Sequence, residues 1–244
     1  ILHHGDFSRN SKEELLNVIN KSIEDNHKRA KECDTVIITF GTAYAYTRNN
    51  DNIVVGNCHK LPANTFTRRL LGIEEIVNTT SMVIEQFKEI NPNIRFIFTV
   101  SPIRHLRDGA HGNQKSKATL LLAIDRINSL YPDNTTYFPA YEIVLDELRD
   151  YRFYADDMLH PSAKAIEYIW ECFGNCYFNE ETKKLNEEIE TVARAIAHRP
   201  FDASSDGYKR FICNLLKKIE GIEEKYSYLN FDNEKTQCNT LLNK

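Results

Sequence analysis

The chain has 244 residues, 41% of them hydrophobic, which is enough to bury one sizeable core with a helical appendage. A formal net charge of −4 gives no electrostatic footprint for nucleic acid or an anionic membrane, and no apolar run is long enough to span a bilayer. The six cysteines are scattered and form no CxxC pair, which predicts reduced thiols in the cytoplasm and neither a disulfide framework nor a structural zinc site.

Most of the chain alternates helical and strand-like patterns. Ser11 with Glu14 makes a capping-box pattern, and apolar residues at helical spacing follow it. Short, continuous β-branched runs indicate strands that are covered on both faces, as in a parallel sheet. In chain order the patterns predict a helix over 11–31, a strand over 34–41, a long loop over 42–63, a helix over 73–90, a strand over 95–100, a polar loop over 103–113, a helix over 116–130, a strand over 136–140, a short helix over 142–150 and a helix from Pro161 to about Tyr177.

Strands that alternate with helices predict an α/β fold with a three-layer parallel sheet. Only three clear strands are present, which is few for such a sheet, so we expect further strands upstream of Ile1. Pro139 places the third strand at an edge or at a strand end. Beyond this domain, predicted over 1–180, the composition favours two charged amphipathic helices over 181–230 and a polar tail over 231–244.

The first candidate for chemistry precedes the last helix of this domain. Asp157 and His160 lie three residues apart, just before a helix that Pro161 opens. A carboxylate in that place can accept a hydrogen bond from one imidazole nitrogen and leave the other nitrogen to act as a base. The pattern therefore indicates an acid and base pair, against the simpler reading of a surface aspartate and a solvated histidine.

Two alternatives to this pair remain open. The same spacing occurs by chance in chains of this composition, and Asp108 with His111 repeats it within the glycine-containing loop. Asp156 is the alternative acid if Asp157 proves to be exposed.

Polar segments also follow the ends of the first two predicted strands. Gly41 and Thr42 end the first, where backbone amides can face a developing oxyanion or simply form a tight turn. Arg104 and His105 follow the second, beside the crevice that such sheets use for ligands. Arg104 suits a carboxylate or phosphate, or an ordinary ion pair. Ser101 lies nearby, but no G-x-S-x-G elbow surrounds it.

The segment Asn57-Cys58-His59-Lys60 groups four polar or reactive side chains in the predicted loop. Cys58 with His59 offers a nucleophile and base, although adjacent side chains usually point apart. The same two residues could bind a metal together with His105 or His111. Asn57 as an oxyanion donor, or an ordinary polar loop, are the other readings.

Many of these segments, in order, resemble one bacterial family, the GSCFA domain, which is related to SGNH/GDSL hydrolases. The resemblance covers about residues 30 to 205. The segments that carry it are Gly41-Thr-Ala-Tyr44, Asn57-Cys-His-Lys60, Thr99-Val-Ser-Pro-Ile-Arg-His105, Asn113-Gln114 with Ser116-Lys-Ala-Thr-Leu120, Tyr137-Phe-Pro-Ala-Tyr-Glu142, Asp146-Glu-Leu-Arg-Asp-Tyr-Arg-Phe-Tyr154, Asp157-Met-Leu-His160-Pro161 and Ala197-His-Arg-Pro-Phe201.

The resemblance implies a flavodoxin-like, SGNH-hydrolase-like fold and a Ser/Asp/His triad with Asp157 and His160 as its acid and base. Gly41 looks like the family's third block, where the wider superfamily has Gly-x-Asn. Ala43 stands in the asparagine position here, and Asn57 is the candidate replacement as oxyanion donor. The motif that names the family, Gly-Ser-Cys-Phe-Ala, contains the serine that looks like the nucleophile, and this chain lacks that motif. We therefore expect either a fragment without the serine or a member that has lost it.

The expected function is that of an esterase acting on an O-acylated small molecule or glycan, with the serine outside this chain. Gly41, Thr42 and Asn57 would bind the oxyanion, and Arg104 and His105 the substrate. No cofactor or metal is implied. Two alternatives stay open: a non-catalytic ligand-binding module on the same fold, and an interaction protein whose C-terminal helices bring copies of the chain together.

Overall fold

The computed structural model describes residues 3–198, 200–201 and 205–242. It divides into two compact units, Ile1–Trp170 and Glu171–Lys244, so the boundary lies inside a helix, whereas the predicted boundary falls at the start of the next one. The helices are α1 (Lys12–Glu32), α2 (Ile73–Ile90), α3 (Gly109–Leu130), α4 (Ala140–Glu142), α5 (Ala163–Tyr177), α6 (Glu180–Ala197), α7 (Asp206–Lys225) and α8 (Asp232–Leu242). The strands are β1 (Thr35–Phe40), β2 (Tyr44–Arg48), β3 (Val54–Val55), β4 (Phe66–Leu70), β5 (Arg95–Val100) and β6 (Thr135–Phe138). None of the described helices combines the length and apolar character needed to cross a bilayer.

The first unit is built on a parallel sheet with the strand order β1–β5–β6. Thr35 lies opposite Arg95, and the register runs unbroken along β1 and β5. Both crossovers step in the same direction across the sheet, so the right-handed rule places α2 and α3 on one face, where they pack together. The predicted α/β fold, with its parallel sheet and C-terminal helices, is confirmed.

The core of this unit surrounds the central strand. Phe96 and Phe98 on β5 are fully buried, and Ile84 of α2 and Ile124 of α3 cover them from the helical layer within the same cluster. Truncating a buried aromatic such as Phe98 to alanine costs about 3–5 kcal/mol, because transfer energy and cavity formation add. β6 is the edge strand and Pro139 follows its last residue, as the missing proline N–H requires.

A second sheet occupies the region that the sequence predicted to be a long loop. β2, β3 and β4 pair antiparallel in the order β3–β2–β4, and Tyr44 lies opposite Leu70. The prediction of one long loop over 42–63 is therefore wrong, because β2 and β3 lie within it. β2 and β3 are five and two residues long, and partners that are distant in sequence stabilise them, so no local pattern marks them.

The loop that follows β5 is shorter than predicted, because α3 begins at Gly109. Gly109 and Gly112 disfavour a helix locally, which explains why 109–115 reads as a loop in sequence. The predicted short helix over 142–150 is the single turn of α4, continued by a π-helical turn over Ile143–Glu147. Such turns are rare and occur frequently at functional sites.

The second unit has its own core between α6, α7 and α8. Leu185 and Val192 of α6 share one apolar cluster with Ile212, Leu215 and Ile219 of α7. The predicted polar tail is wrong over 232–242, which forms α8 and buries Cys238. Glu223 fixes this helix, because its carboxylate accepts a hydrogen bond from the Phe231 amide at 2.9 Å and pairs with Lys235.

Candidate functional site

The carboxyl ends of β1 and β5 separate around the side chains of two buried residues of α3. The Ser116 hydroxyl accepts the Ala43 amide at 2.7 Å and lies 3.0 Å from the Thr42 hydroxyl. The next side chain, Lys117, donates to the carbonyl oxygens of Gly41 at 2.7 Å and Ser101 at 2.6 Å. Both α3 side chains are 1% exposed. They hold the strand-end turn Gly41–Ala43 to the start of the loop after β5.

Lys117 is a buried cation whose described contacts include no carboxylate. Its ammonium bonds only the two carbonyl oxygens and lies 5.7 Å from the centre of the Tyr141 ring. Burial lowers the pKa of Lys117 to about 8, because the apolar interior disfavours the charged form. This part of the site therefore carries an uncompensated positive charge at neutral pH.

Gly41 lies beside the ring of His105. A Cβ added at Gly41 would lie 3.9 Å from the His105 Nε2 atom, an ordinary van der Waals distance. The backbone amide of His105 donates to the Asn113 side-chain oxygen at 3.0 Å, which fixes the loop to α3. Gly41 and His105 therefore lie next to each other at the ends of the two strands.

Arg104 connects this loop to the segment that precedes the D-x-x-H sequence. Its guanidinium donates to the Tyr154 hydroxyl at 2.8 Å and lies 4.5 Å from the centre of that ring. No carboxylate in 3–198, 200–201 or 205–242 forms an ion pair with Arg104. Arg104 therefore contacts a neutral aromatic residue instead of forming the ion pair that is the more common structural role of an arginine.

A cavity of about 340 Å³ opens beside Arg104 and His105. Its wall includes the first turn of α3, the α4 residue Tyr141 and the π-turn residue Leu145. The Tyr141 hydroxyl donates to the Gln114 side-chain oxygen, which joins the two sides of the wall. The cavity is of the size, and has the mixed apolar and polar lining, of a small-ligand site.

The side chains of Asp157 and His160 are hydrogen-bonded to each other within a tight turn. The Asp157 Oδ2 atom lies 2.5 Å from His160 Nδ1, while Oδ1 accepts the amides of Leu159 and His160 at 2.9 Å each. Met158 between them has a φ of 60°, a conformation that non-glycine residues seldom adopt. The turn is closed at its base, where the Ala155 amide donates to the His160 carbonyl oxygen at 2.8 Å.

The pair is solvent-accessible rather than buried, with 46% of the Asp157 side chain and 56% of the His160 side chain exposed. The amides of His160 and Leu159, followed by the imidazole, hold the pKa of Asp157 at about 2. Asp157 is thus a carboxylate across the whole working pH range and accepts the imidazole proton on Nδ1. Among the described residues no group bonds His160 Nε2, so this nitrogen can act toward a ligand.

The position of Pro161 differs from its prediction. It forms an isolated antiparallel bridge with Tyr154, and α5 begins at Ala163, where the Ser162 hydroxyl accepts the Ala165 amide at 3.4 Å. The bridge holds Pro161 in extended backbone, so it precedes the helix. It also joins the D-x-x-H turn to Tyr154, and through that residue to Arg104.

Asn57 lies apart from these contacts. Its side-chain oxygen accepts the His59 amide at 2.7 Å in a local turn, in which His59 and Lys60 both have positive φ. The His59 ring bonds the carbonyl oxygen of His3 at 2.9 Å. No described hydrogen bond joins Asn57 to Gly41 or Thr42, so its role as an oxyanion donor stays a prediction.

The second D-x-x-H pair is divided between two environments. Asp108 forms an ion pair with Arg68 and its side chain is fully buried, while His111 is exposed on the first turn of α3. Because Arg68 lies on β4, its ion pair with Asp108 joins the second sheet to the loop after β5. Within that sheet, Arg68 also lies 3.8 Å from the centre of the Tyr44 ring. No described group of His, Cys, Asp and Glu residues is arranged to hold a metal ion.

The functional candidates that the sequence did not single out are Lys117, Ser116 and Tyr154. One signal was available for Lys117, because it lies seven residues before Ile124 and three before Leu120, on the apolar stripe of α3. A charged residue on such a stripe indicates either a wrong helix phase or a buried polar contact. Ser116 and Tyr154 carry no comparable signal, since their partners are distant in sequence.

Comparison with known proteins gives two family matches. A family model described as the GSCFA family matches residues 1–173, and one described as the GSCFA domain protein, C-terminal domain, matches residues 189–244. No curated protein matches the chain significantly. No solved structure does so either.

Proposed function

We propose that this chain, which belongs to the GSCFA family, supplies the acid and base of an SGNH-type ester hydrolase. The observation that carries the proposal is the bond between Asp157 and His160 Nδ1 at 2.5 Å. A carboxylate held there fixes the imidazole tautomer and stabilises the imidazolium, which leaves Nε2 as the base.

In the proposed reaction a serine hydroxyl attacks the carbonyl carbon of an acyl ester and passes its proton to His160 Nε2. The tetrahedral intermediate expels the alcohol, which takes that proton from Nε2. Water then attacks the acyl-serine by the same route, so that a carboxylic acid leaves and the serine regains its proton. Asp157 keeps its charge throughout and orients His160.

The turn after β1 is the proposed oxyanion site. Neither the Gly41 nor the Thr42 amide donates a hydrogen bond to any residue that the structure describes, whereas the next amide, of Ala43, is taken by Ser116. Amides that are fixed but unoccupied are what an oxyanion hole requires. The loop residues Arg104 and His105 are the proposed substrate contacts, because they line the adjacent cavity.

The nucleophile is proposed to lie outside this chain. Ser116 is 1% exposed with its hydroxyl engaged, and the Ser101 hydroxyl accepts the Ile103 amide at 3.3 Å. β1 is an edge strand of the described sheet, so its free edge can pair with a further strand that carries the serine.

The test is the rate of aryl-acetate hydrolysis by this chain and by the protein extended upstream to its translational start. His160→Ala and His111→Ala are made in the extended protein, since His111 belongs to the other D-x-x-H pair and makes no contact with Asp157. The proposal expects activity in the extended protein, its loss in His160→Ala and its retention in His111→Ala.

Inactivity of the extended protein, or full activity of His160→Ala, would sink the proposal. The alternative would then be a non-catalytic binding module, which the cavity beside Arg104 favours because its lining does not include His160. Self-association through the C-terminal helices is a separate proposal. It predicts a mass that rises with concentration in sedimentation equilibrium and becomes constant after truncation before Glu180.

A further inference from the structure

Two cations that pair with no carboxylate in the described part of the chain, Arg104 and Lys117, lie at the cavity. Arg104 lines it and bonds a neutral phenol, the Tyr154 hydroxyl. Lys117 lies behind it, bonded to backbone carbonyls and 5.7 Å from the centre of the Tyr141 ring, which lines the same cavity. A guanidinium that meets no carboxylate is free to bind an anion with paired hydrogen bonds.

Of the three acidic groups described near the cavity, Asp108 and Asp146 have cationic partners, whereas Glu142 bonds a neutral phenol. Asp108, which precedes α3, is paired with Arg68. Glu142 accepts the Tyr137 hydroxyl at 2.7 Å, and Asp146 on the π-helical turn lies 3.9 Å from Arg149. No aspartate or glutamate is among the described residues that line the cavity.

The remaining lining suits a small polar anion. The first turn of α3 forms one wall through Gly109 and Ala110, and the amino end of a 22-residue helix favours negative charge. Gln114 offers an amide, and Leu106 and Leu145 add apolar surface. A volume of about 340 Å³ accommodates a substituent or a single small unit rather than a polymer.

We propose that this cavity binds a small oxyanion, a carboxylate or phosphate group, through Arg104. If the proposed function holds, this anion is part of the acyl-ester substrate, which is then acidic. Only this assignment of the anion to the substrate rests on the proposed function. Anion binding itself requires neither His160 nor the serine.

The experiment is a titration of the ¹⁵N-labelled chain, at low ionic strength, with sodium acetate and with inorganic phosphate, followed by amide chemical shifts. Each is expected to move amides of 104–114, and the tighter of the two identifies the anion as carboxylate or phosphate. Arg104→Gln should weaken binding about tenfold or more, because it removes a charge-assisted hydrogen bond. Arg126→Gln is the matched control, since Arg126 is 55% exposed, pairs with Glu74 and does not line the cavity, and it should leave affinity within twofold.

Gln114→Glu is the second variant. It adds a negative charge to the cavity at an exposed position and keeps the hydrogen bond from Arg104 to Tyr154. Gln114→Glu should weaken the binding of both acetate and phosphate, and this test remains available even if Arg104→Gln fails to fold. The proposal is wrong if neither anion shifts these amides, or if Gln114→Glu binds as tightly as the unchanged chain. The titration measures no turnover, so failure of the hydrolase proposal would leave its result unaffected.

Discussion

Lys117 donates to the carbonyl oxygen of Gly41 at 2.7 Å at the point where β1 and β5 separate. The last hydrogen bond between the two strands is the one that the Ser101 amide donates to the Phe40 carbonyl oxygen at 2.9 Å. Beyond that bond the Lys117 ammonium takes the carbonyls of Gly41 and Ser101, which would otherwise be buried without partners. One side chain of α3 therefore determines how far the strand ends open, and with them the proposed site.

Lys117→Met tests this role through the pH dependence of stability. At pH 7 two effects oppose each other, because the variant loses two hydrogen bonds but no longer buries a charge. The pKa of Lys117 is lowered from 10.5 to about 8, so stability linked to this group is absent below pH 8 and appears as pH rises toward 10.5. The free energy of unfolding of the unchanged chain, relative to that of Lys117→Met, should thus increase by about 2 kcal/mol between pH 7 and pH 10.

Urea unfolding of both proteins at the two pH values measures this difference, and groups common to both cancel. Lys115→Met is the control, because Lys115 is exposed on the same helix and its substitution should give no pH-dependent difference. An advantage of the same size at pH 7 and pH 10 would show that Lys117 is not buried as a cation.

Asp157→Asn tests the orientation of His160. The asparagine oxygen can still accept the amides of Leu159 and His160, but its NH₂ group cannot accept the proton of Nδ1. The imidazole would then adopt the wrong tautomer, and kcat for aryl-acetate hydrolysis by the protein extended upstream should fall by about 10⁴-fold. Asp156→Asn is the matched control, since Asp156 is exposed like Asp157 but no described hydrogen bond joins it to His160, and it should keep its rate. Equal rates in the two variants would contradict the assignment of Asp157.

Met158 tests whether the turn itself is preorganised. A β-branched residue at a φ of 60° is strongly strained, so Met158→Val should lower the free energy of unfolding by about 1–2 kcal/mol and move Asp157 away from His160. Met158→Gly fits this conformation and should change stability by less than about 1 kcal/mol. Thermal unfolding and hydrolysis rates distinguish them, and similar values for both variants would mean that the turn tolerates other conformations.

The parts of this structure that the sequence predicts well are those with local causes. α2 begins and ends where its apolar period and Asn91-Pro92 indicate. β1 and β5 follow continuous β-branched runs, and Asp157 bonds His160 within one turn, so a four-residue segment suffices to specify the pair.

The parts that it misses depend on distant partners. β2 has no pattern of its own and pairs with β4, which lies some twenty residues further on. α8 reads as a polar tail because Cys238 is the only one of its residues that is buried, and its position depends on Glu223 of α7. The partners of Lys117 and Arg104, which are Gly41, Ser101 and Tyr154, are distant in sequence, so no local pattern identifies these contacts. The position of the cavity therefore follows from tertiary structure alone.

The most direct test of a serine that is activated by His160 is covalent labelling with a fluorophosphonate, read by intact mass and peptide mapping. The account predicts one label on a serine upstream of Ile1 in the extended protein, none on this chain alone, and loss of the label in His160→Ala. A label on Ser101 or Ser116, or an upstream label that His160→Ala leaves unchanged, would contradict it.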